Sequence, residues 1–150
     1  MSKKIIVVSI LLMFLNLVGC SNEDIAEKEI SFSELSTEMG EQEYKIAEEM
    51  HDLDGELVEI EGYFSTLTPL KREFFFLTGT PGVACPYCDD GAEEVNFFTL
   101  IQVYFPEDEG FKFSRDKQRV VGEFEVGEEK DEFGVKSKFR IQAKLIENIE

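Results

Sequence analysis

From Leu53 onward the apolar residues of this chain recur at every second position, and that period restricts the fold more than any other feature. Between Leu57 and Leu67, Val58, Ile60, Gly62 and Phe64 fall on one side and Glu59, Glu61, Tyr63 and Ser65 on the other. That is the pattern of a half-buried strand. Asp54-Gly55 before it is a turn signal, and Gly62 within it predicts a bulge or a sharp bend. Glu73 to Thr78 carries Phe74-Phe75-Phe76-Leu77, apolar on both faces, and stops at Gly79-Thr80-Pro81-Gly82. Val95 to Phe105 reads as a third strand, ended by Pro106 to Gly110. Arg119 to Val126 is a fourth, with Val120, Gly122, Phe124 and Val126 inward. Phe139 to Ile146 is a fifth, with Phe139, Ile141, Ala143 and Leu145 inward and Arg140, Gln142 and Lys144 outward. Gly127 to Gly134 reads as a charged hairpin connection.

Five strands with a bent first strand predict a mainly β fold, a small five-stranded OB-like barrel. The joint from Glu107 to Gln118 leaves little room for a helix, and Phe111-Lys112-Phe113 alternates like an edge strand. Ahead of the barrel the period is helical. Ser33 suits an N-cap, Gly40 interrupts, and Tyr44, Ala47 and Met50 recur at helical spacing in Glu41 to Met50. The expectation is a short helical segment covering one end of the barrel. The 14 Phe and 4 Tyr are ample for one core without any Trp.

The N-terminus carries a different signal. Lys3 and Lys4 precede an apolar run from Ile5 to Val18. The run is shorter than the roughly 20 residues a spanning helix needs and fits a secretory signal peptide. It ends in Leu17-Val18-Gly19-Cys20, which resembles the lipobox of bacterial lipoproteins. The resemblance implies cleavage before Cys20 and a covalent diacylglycerol lipid on its sulfur. The alternative is an ordinary signal peptide that leaves Cys20 a free thiol. The expected organisation is a signal peptide over 1–19, a lipid-anchored flexible tether over 20–30 and the barrel domain over 31–150. The domain would then sit at the cell membrane, facing outside the cytoplasm, since two or more acyl chains anchor stably.

Charge narrows the partners. The chain has 15 basic and 32 acidic residues, a net −17. Removing 1–19 takes two lysines with it and leaves 13 basic against 32 acidic, a net −19. Nucleic acid is therefore an improbable partner, and anionic headgroups repel the domain as a whole.

Three segments carry a second resemblance: Leu53-Asp54-Gly55-Glu56-Leu57-Val58-Glu59-Ile60-Glu61-Gly62-Tyr63, Ala84-Cys85-Pro86-Tyr87-Cys88 and Val121-Gly122-Glu123-Phe124. Together they look like a group of exported bacterial proteins with OB-like domains, in which such a strand precedes a cysteine-containing loop. Some of that group are suspected of assisting membrane transport systems. The resemblance thus implies an accessory role and a membrane transport complex as partner.

Cys85-Pro86-Tyr87-Cys88 is the one sharp chemical feature. On its own the string resembles the glutaredoxin site. That chemistry needs the first cysteine at the start of a long helix, whose dipole stabilises the thiolate. Here Asp89-Asp90-Gly91 follow at once, and two carboxylates raise a thiol pKa. Three other readings are a disulfide between Cys85 and Cys88, a loop that packs under the barrel rim, and half of a zinc or Cu(I) site. The further metal ligands within the sequence are His51, Asp89 and Asp90, with Glu93 and Glu94 nearby. No Ser-His-Asp set can be assembled around the single histidine, and no phosphate loop is present. The acidic runs Glu107-Asp108-Glu109 and Glu128 to Glu132 read as solvated loops. The expectation is a non-enzymatic binding or accessory module with no catalytic residues. Its alternative is a thiol-disulfide redox enzyme using Cys85 and Cys88.

Overall fold

A computed structural model describes residues 28–40, 43–65, 73–82, 96–106, 114–130 and 136–149. The strands are β1 (Lys28–Ile30), β2 (Ser36–Gly40), β3 (Glu43–Ile46), β4 (Leu57–Phe64), β5 (Phe74–Thr78), β6 (Leu100–Tyr104), β7 (Lys117–Lys130) and β8 (Lys136–Ile149). One four-residue helix, α1 (Glu48–His51), and two single turns of 3-10 helix at Phe32–Glu34 and Phe97–Thr99 complete the described elements. The protein is mainly β. Six strands form one mixed sheet in the order β1-β4-β5-β6-β8-β7, and β2 and β3 form a separate two-stranded sheet. β4 also pairs antiparallel with β7, from Leu57 opposite Glu123 to Tyr63 opposite Lys117.

The alternation in β4 is realised residue by residue. Val58, Ile60, Gly62 and Phe64 are buried, and the residues between them are half exposed. Val58 and Ile60 join Phe75, Leu77, Ile101, Val103, Val120, Phe124, Phe139 and Ile141 in one core. Phe64 stacks on Phe75 with ring centroids 3.9 Å apart, and Phe124 lies parallel to Phe139 at 5.9 Å. The segment ahead of β4 closes this core. Leu35, Ala47, Met50 and Leu53 are all buried in it.

That covering segment is not helical in the way its spacing predicts. Residues Ser36 to Ile46 form a hairpin, with Ser36 opposite Ile46 and Glu38 opposite Tyr44. The helical pattern came from residues of two different elements: Tyr44 lies on β3 and is exposed, while Ala47 and Met50 belong to the entry and body of α1. The Ala47 N–H donates to Leu35 O at 3.1 Å, which brings the two buried ends of the hairpin together. A second correction concerns the tether. Lys28–Ile30, read as part of it, pairs in parallel with Val58–Ile60, and Ile30 is buried. An isoleucine at the last of three paired positions fills the core edge beside β4, which a free tether would leave exposed.

Further corrections come from pairing, close contacts and caps that a fixed period does not carry. At Gly62 the β4–β7 register runs unbroken, so there is no bulge. Glycine is required there because a Cβ would meet Thr78 O at 2.7 Å, Leu77 Cγ at 2.8 Å and Phe32 Cε2 at 2.9 Å. The third strand starts at Leu100, not Val95, because Asn96 caps a 3-10 turn by accepting from the Phe98 N–H. On β8 the pairing shifts between Leu145 and Ala143, leaving Lys144 as an extra residue. That bulge reverses the faces, so Ile146 packs on the core in place of Leu145. Finally, β7 and β8 run on to Lys130 and Lys136. Glu128 and Glu129 are strand residues, not part of a solvated loop. Gly127, at φ +134°, sits in the register shift between Val126 and Glu129.

Candidate functional site

β5 and β7 run antiparallel to β4, and β1 runs parallel to it. β7 pairs with β4 from Lys117 opposite Tyr63 to Glu123 opposite Leu57, while β5 ends at Thr78 opposite Tyr63, near the far end of β4. β6 is antiparallel to β5 and parallel to β8. By strand direction, β5 and β7 therefore leave the sheet the way β1, β4, β6 and β8 enter it, and the β5–β6 connection, in which the sequence carries Cys85, Cys88, Asp89 and Asp90, sets out in that direction.

The four loop residues lie outside the described residues, as does Cys20. What is described is the footing of the loop. On the outgoing side the Thr78 hydroxyl donates to Thr80 O at 2.7 Å and to Tyr63 O at 3.2 Å. Gly79 lies against Phe32, where a Cβ would be 3.0 Å from the ring, and Gly82 takes φ +81°. On the returning side Asn96 accepts from the Phe98 N–H at 3.0 Å, and the Thr99 hydroxyl donates to Asn96 O at 2.8 Å. Thr78 pairs with Leu100, so the two stems meet across one ladder. Side-chain hydroxyls and a capping amide tie down both stems.

A second apolar layer lies beside these stems. Phe74, Phe76 and Leu100 are buried on the face of β5 and β6 opposite the main core, with Phe97 and Tyr104 packed against them. Phe74 meets Phe76 edge-on at 5.6 Å and Tyr104 at the same distance. Gln102, on the same face, donates to the Tyr104 hydroxyl at 3.2 Å. This explains the unbroken apolar run of β5: both of its faces are buried.

His51 ends α1 and is exposed. Its turn is tied to β7, with the Gly55 N–H donating to Phe124 O at 2.7 Å and the Val126 N–H to Asp54 Oδ1 at 2.8 Å. Among the described residues, no three His, Cys, Asp or Glu side chains come close enough to hold a metal ion. Asp54, the nearest carboxylate in sequence beyond Asp52, is committed to capping β7.

The sequence pattern missed an ordered charge lattice on the outer faces of β4, β7 and β8. Arg119 donates to Glu59 through Nε at 2.8 Å and Nη2 at 2.6 Å, and to Glu147 through Nη1 at 3.0 Å. Lys117 pairs with Glu61 at 2.5 Å. Arg140, expected outside, is buried: Nε reaches Glu125 at 2.9 Å and Glu129 at 3.0 Å, and Nη1 donates to Gly127 O at 2.9 Å. The guanidinium satisfies the carbonyl that the bulge leaves outside the ladder, and that geometry draws it inward. Glu128 pairs with both Lys136 and Lys138. Arg119 faces Glu147 and Arg140 faces Glu125 across the β7–β8 ladder, while Glu59 lies diagonally from Arg119 and Glu61 from Lys117 across the β4–β7 ladder. Opposite signs on neighbouring strands are the signal, and it becomes legible only once the strand register is known.

These pairs set the acid response. The Arg119 hydrogen bonds hold the Glu59 carboxyl below its ordinary value, and Glu59 and Glu147 in turn hold Arg119 protonated. Lys138 first, then Lys136, lower Glu128. A carboxylate lowered in the folded state adds stability above its unfolded value of about 4.3 and loses it as pH falls through the folded value. Arg119→Met should therefore destabilise the domain by about 1 kcal/mol near neutral pH, given that the pair is partly solvated. The difference from the unaltered protein should shrink as pH falls below about 4.3 and through the lowered folded value of Glu59, where the carboxyl takes up its proton and the pair is lost. Thermal melts of the two proteins across that range check this, and a difference independent of pH would contradict it.

No helix among the described residues is long and apolar enough to cross a membrane. No family model matches the sequence, and no match is found among curated proteins. Among solved structures the chain is similar to the crystal structure of a DUF3299 family protein from Pseudomonas aeruginosa PAO1. The two are 13% identical with a TM-score of 0.52, and the match covers 81% of this chain and 95% of that one. At that identity the likeness is one of fold.

Proposed function

We propose that the protein is an extracytoplasmic lipoprotein, held at the cell membrane by a diacylglycerol lipid on Cys20, whose barrel acts as a binding or accessory module. The strand pairings support the barrel. β4 pairs with β5, β5 with β6, β6 with β8, β8 with β7, and β7 with β4. A ring of five strands in that order, with β6 and β8 parallel and every other pair antiparallel, matches the order of an OB-fold. The short β1 adds to β4 from outside the ring. Leu17-Val18-Gly19-Cys20 after a short apolar run supports the anchor.

The observation that carries the reading of the loop is its footing. Thr78, Asn96 and Thr99 tie down the stems on either side of the segment that carries Cys85 and Cys88 in sequence, which supports reading that segment as a loop set on a firm base. Two thiolates two residues apart suit zinc or Cu(I). Asp89 and Asp90 are the nearest further donors in sequence, and a membrane transport complex is the partner the resemblance favours. Seven residues separate Cys88 from Asn96, too few for the long helix that a thiol-disulfide enzyme needs after its cysteines, which disfavours that reading.

The test is elemental analysis and thiol counting of the full-length protein in detergent, after reduction and loading with zinc or Cu(I). Metal should bind and be lost equally in Cys85→Ser and Cys88→Ser, because a thiolate pair acts as one chelate. Both variants should melt with the unaltered protein, since the core among the described residues is built from the strands and the segment ahead of β4. Full metal retention in both variants would remove the metal reading. Turnover of protein disulfides with a thiol pKa of about 5 would replace the module by an enzyme.

A further inference from the structure

β4 carries β1 along one edge and β7 along the other. Lys28 lies opposite Val58, and Val58 lies opposite Gly122, so Lys28 and Gly122 stand at one level on either side of the same strand. The chain ahead of Lys28 and the chain beyond Gly122 leave that level in the same direction. On the β7 side the direction is occupied by a hairpin arm. β7 pairs with β4 only as far as Glu123, and beyond it β7 and β8 pair with each other out to Lys130 opposite Lys136. From Gly122 to Lys130 the arm advances roughly 25 Å at strand rise. From Cys20 to Lys28 the chain spans at most about 28 Å when fully extended. The arm is thus as long as the segment that joins the domain to Cys20.

Resting on the lipoprotein reading above, we infer that the end of the β7–β8 arm, Gly127–Lys130 with Lys136–Lys138, is a membrane-facing surface that meets the phospholipid headgroups. An anchor on Cys20 cannot hold the bilayer much farther from Lys28 than the arm itself reaches, so the arm's end stands at the surface. Charge favours the same end. Residues 126–140 carry four basic and four acidic side chains. The remainder of the chain from Cys20 keeps 9 basic and 28 acidic, and so holds the whole −19. The arm is the part of this acidic protein that headgroups do not repel. Its lysines are held in place: Lys138 and Lys136 share Glu128, and Lys138 lies over the Phe98 ring, 5.3 Å from its centroid. The same geometry turns the stems of the cysteine loop toward the bilayer.

The chain contains no Trp, so one introduced indole is a unique reporter. Lys130→Trp places it at the arm's end and Arg115→Trp just before the opposite end of β7; both residues are exposed and each change removes one positive charge. Each full-length, lipidated variant is reconstituted in phosphatidylcholine vesicles carrying a headgroup nitroxide lipid. Fluorescence of the Lys130→Trp protein should be quenched several-fold more than that of the Arg115→Trp protein. Adding Cys20→Ala should abolish both flotation with vesicles and quenching. If the proteins float through Cys20 but the two positions quench equally, or neither quenches, the orientation is wrong while the anchor stands. If they fail to float, the anchor itself is wrong and the orientation falls with it. Equal melting of the two variants and the unaltered protein shows that the comparison reports position and not unfolding.

Discussion

Gly122→Ala should cost the domain about 3 kcal/mol, at the upper end of the usual range for overpacking. For a domain of this size that lowers the melting temperature by about 10 °C. Gly122 pairs with Val58 on one side and Ala143 on the other, next to the bulge at Lys144. A Cβ there would strike the carbonyl oxygen of Gln142, and would lie 2.6 Å from Ile141 Cγ2 and 2.8 Å from Ala143 Cα. Two of those three atoms are backbone, so no rotamer change relieves the contact. Relief requires β8 to move away from β7, and β8 also carries the pairing to β6. Gly40→Ala is the control, because a Cβ at Gly40 meets nothing within 4 Å. Thermal melts of both variants check the claim. Equal, small shifts would mean that β7 and β8 are not in this close contact.

Cys20→Ala should remove the protein from the membrane completely, or stall it as the uncleaved precursor. The reason is additive chain energetics. A single acyl chain gives marginal, reversible binding, and stable anchoring takes two. Nothing else in the described structure replaces them: its helices are single turns, and the chain from Cys20 carries −19. Fractionation of cells producing the unaltered and substituted proteins checks this. Normal processing and full membrane retention of the Cys20→Ala protein would contradict it.

Much of the fold is legible in the sequence where a single period governs. The inward set Val58, Ile60 and Phe64, the doubly buried Phe74 to Leu77, and Phe139, Ile141 and Ala143 on β8 follow directly from alternation, because each stretch is regular over its length. Legibility fails where one residue is inserted. The extra Lys144 moves Leu145 off the core and Ile146 onto it, and the extra residue at Gly127 frees the carbonyl that recruits Arg140. A bulge is a tertiary event, and period counting carries no signal for it. Spacing alone predicts a helix where the hairpin β2–β3 stands, for a related reason. Tyr44, Ala47 and Met50 sit at helical spacing by accident of two adjoining elements, and the contact that decides the matter, Ala47 to Leu35, spans twelve residues. Of the candidate site, His51 is shown exposed beside a turn fastened to β7. Cys85, Cys88, Asp89 and Asp90 lie outside the described residues, and the structure shows only the stems on either side of them, at Thr78 and Asn96.

The proposed attachment through Cys20 underlies the proposed location and the proposed orientation of the arm. The most direct measurement is the intact mass of the protein extracted from membranes, with fragmentation of its first residues. The account predicts a chain of residues 20–150 with a diacylglycerol lipid on the N-terminal cysteine. A chain that begins at Met1, or one cleaved after the signal peptide with an unmodified Cys20, would contradict it.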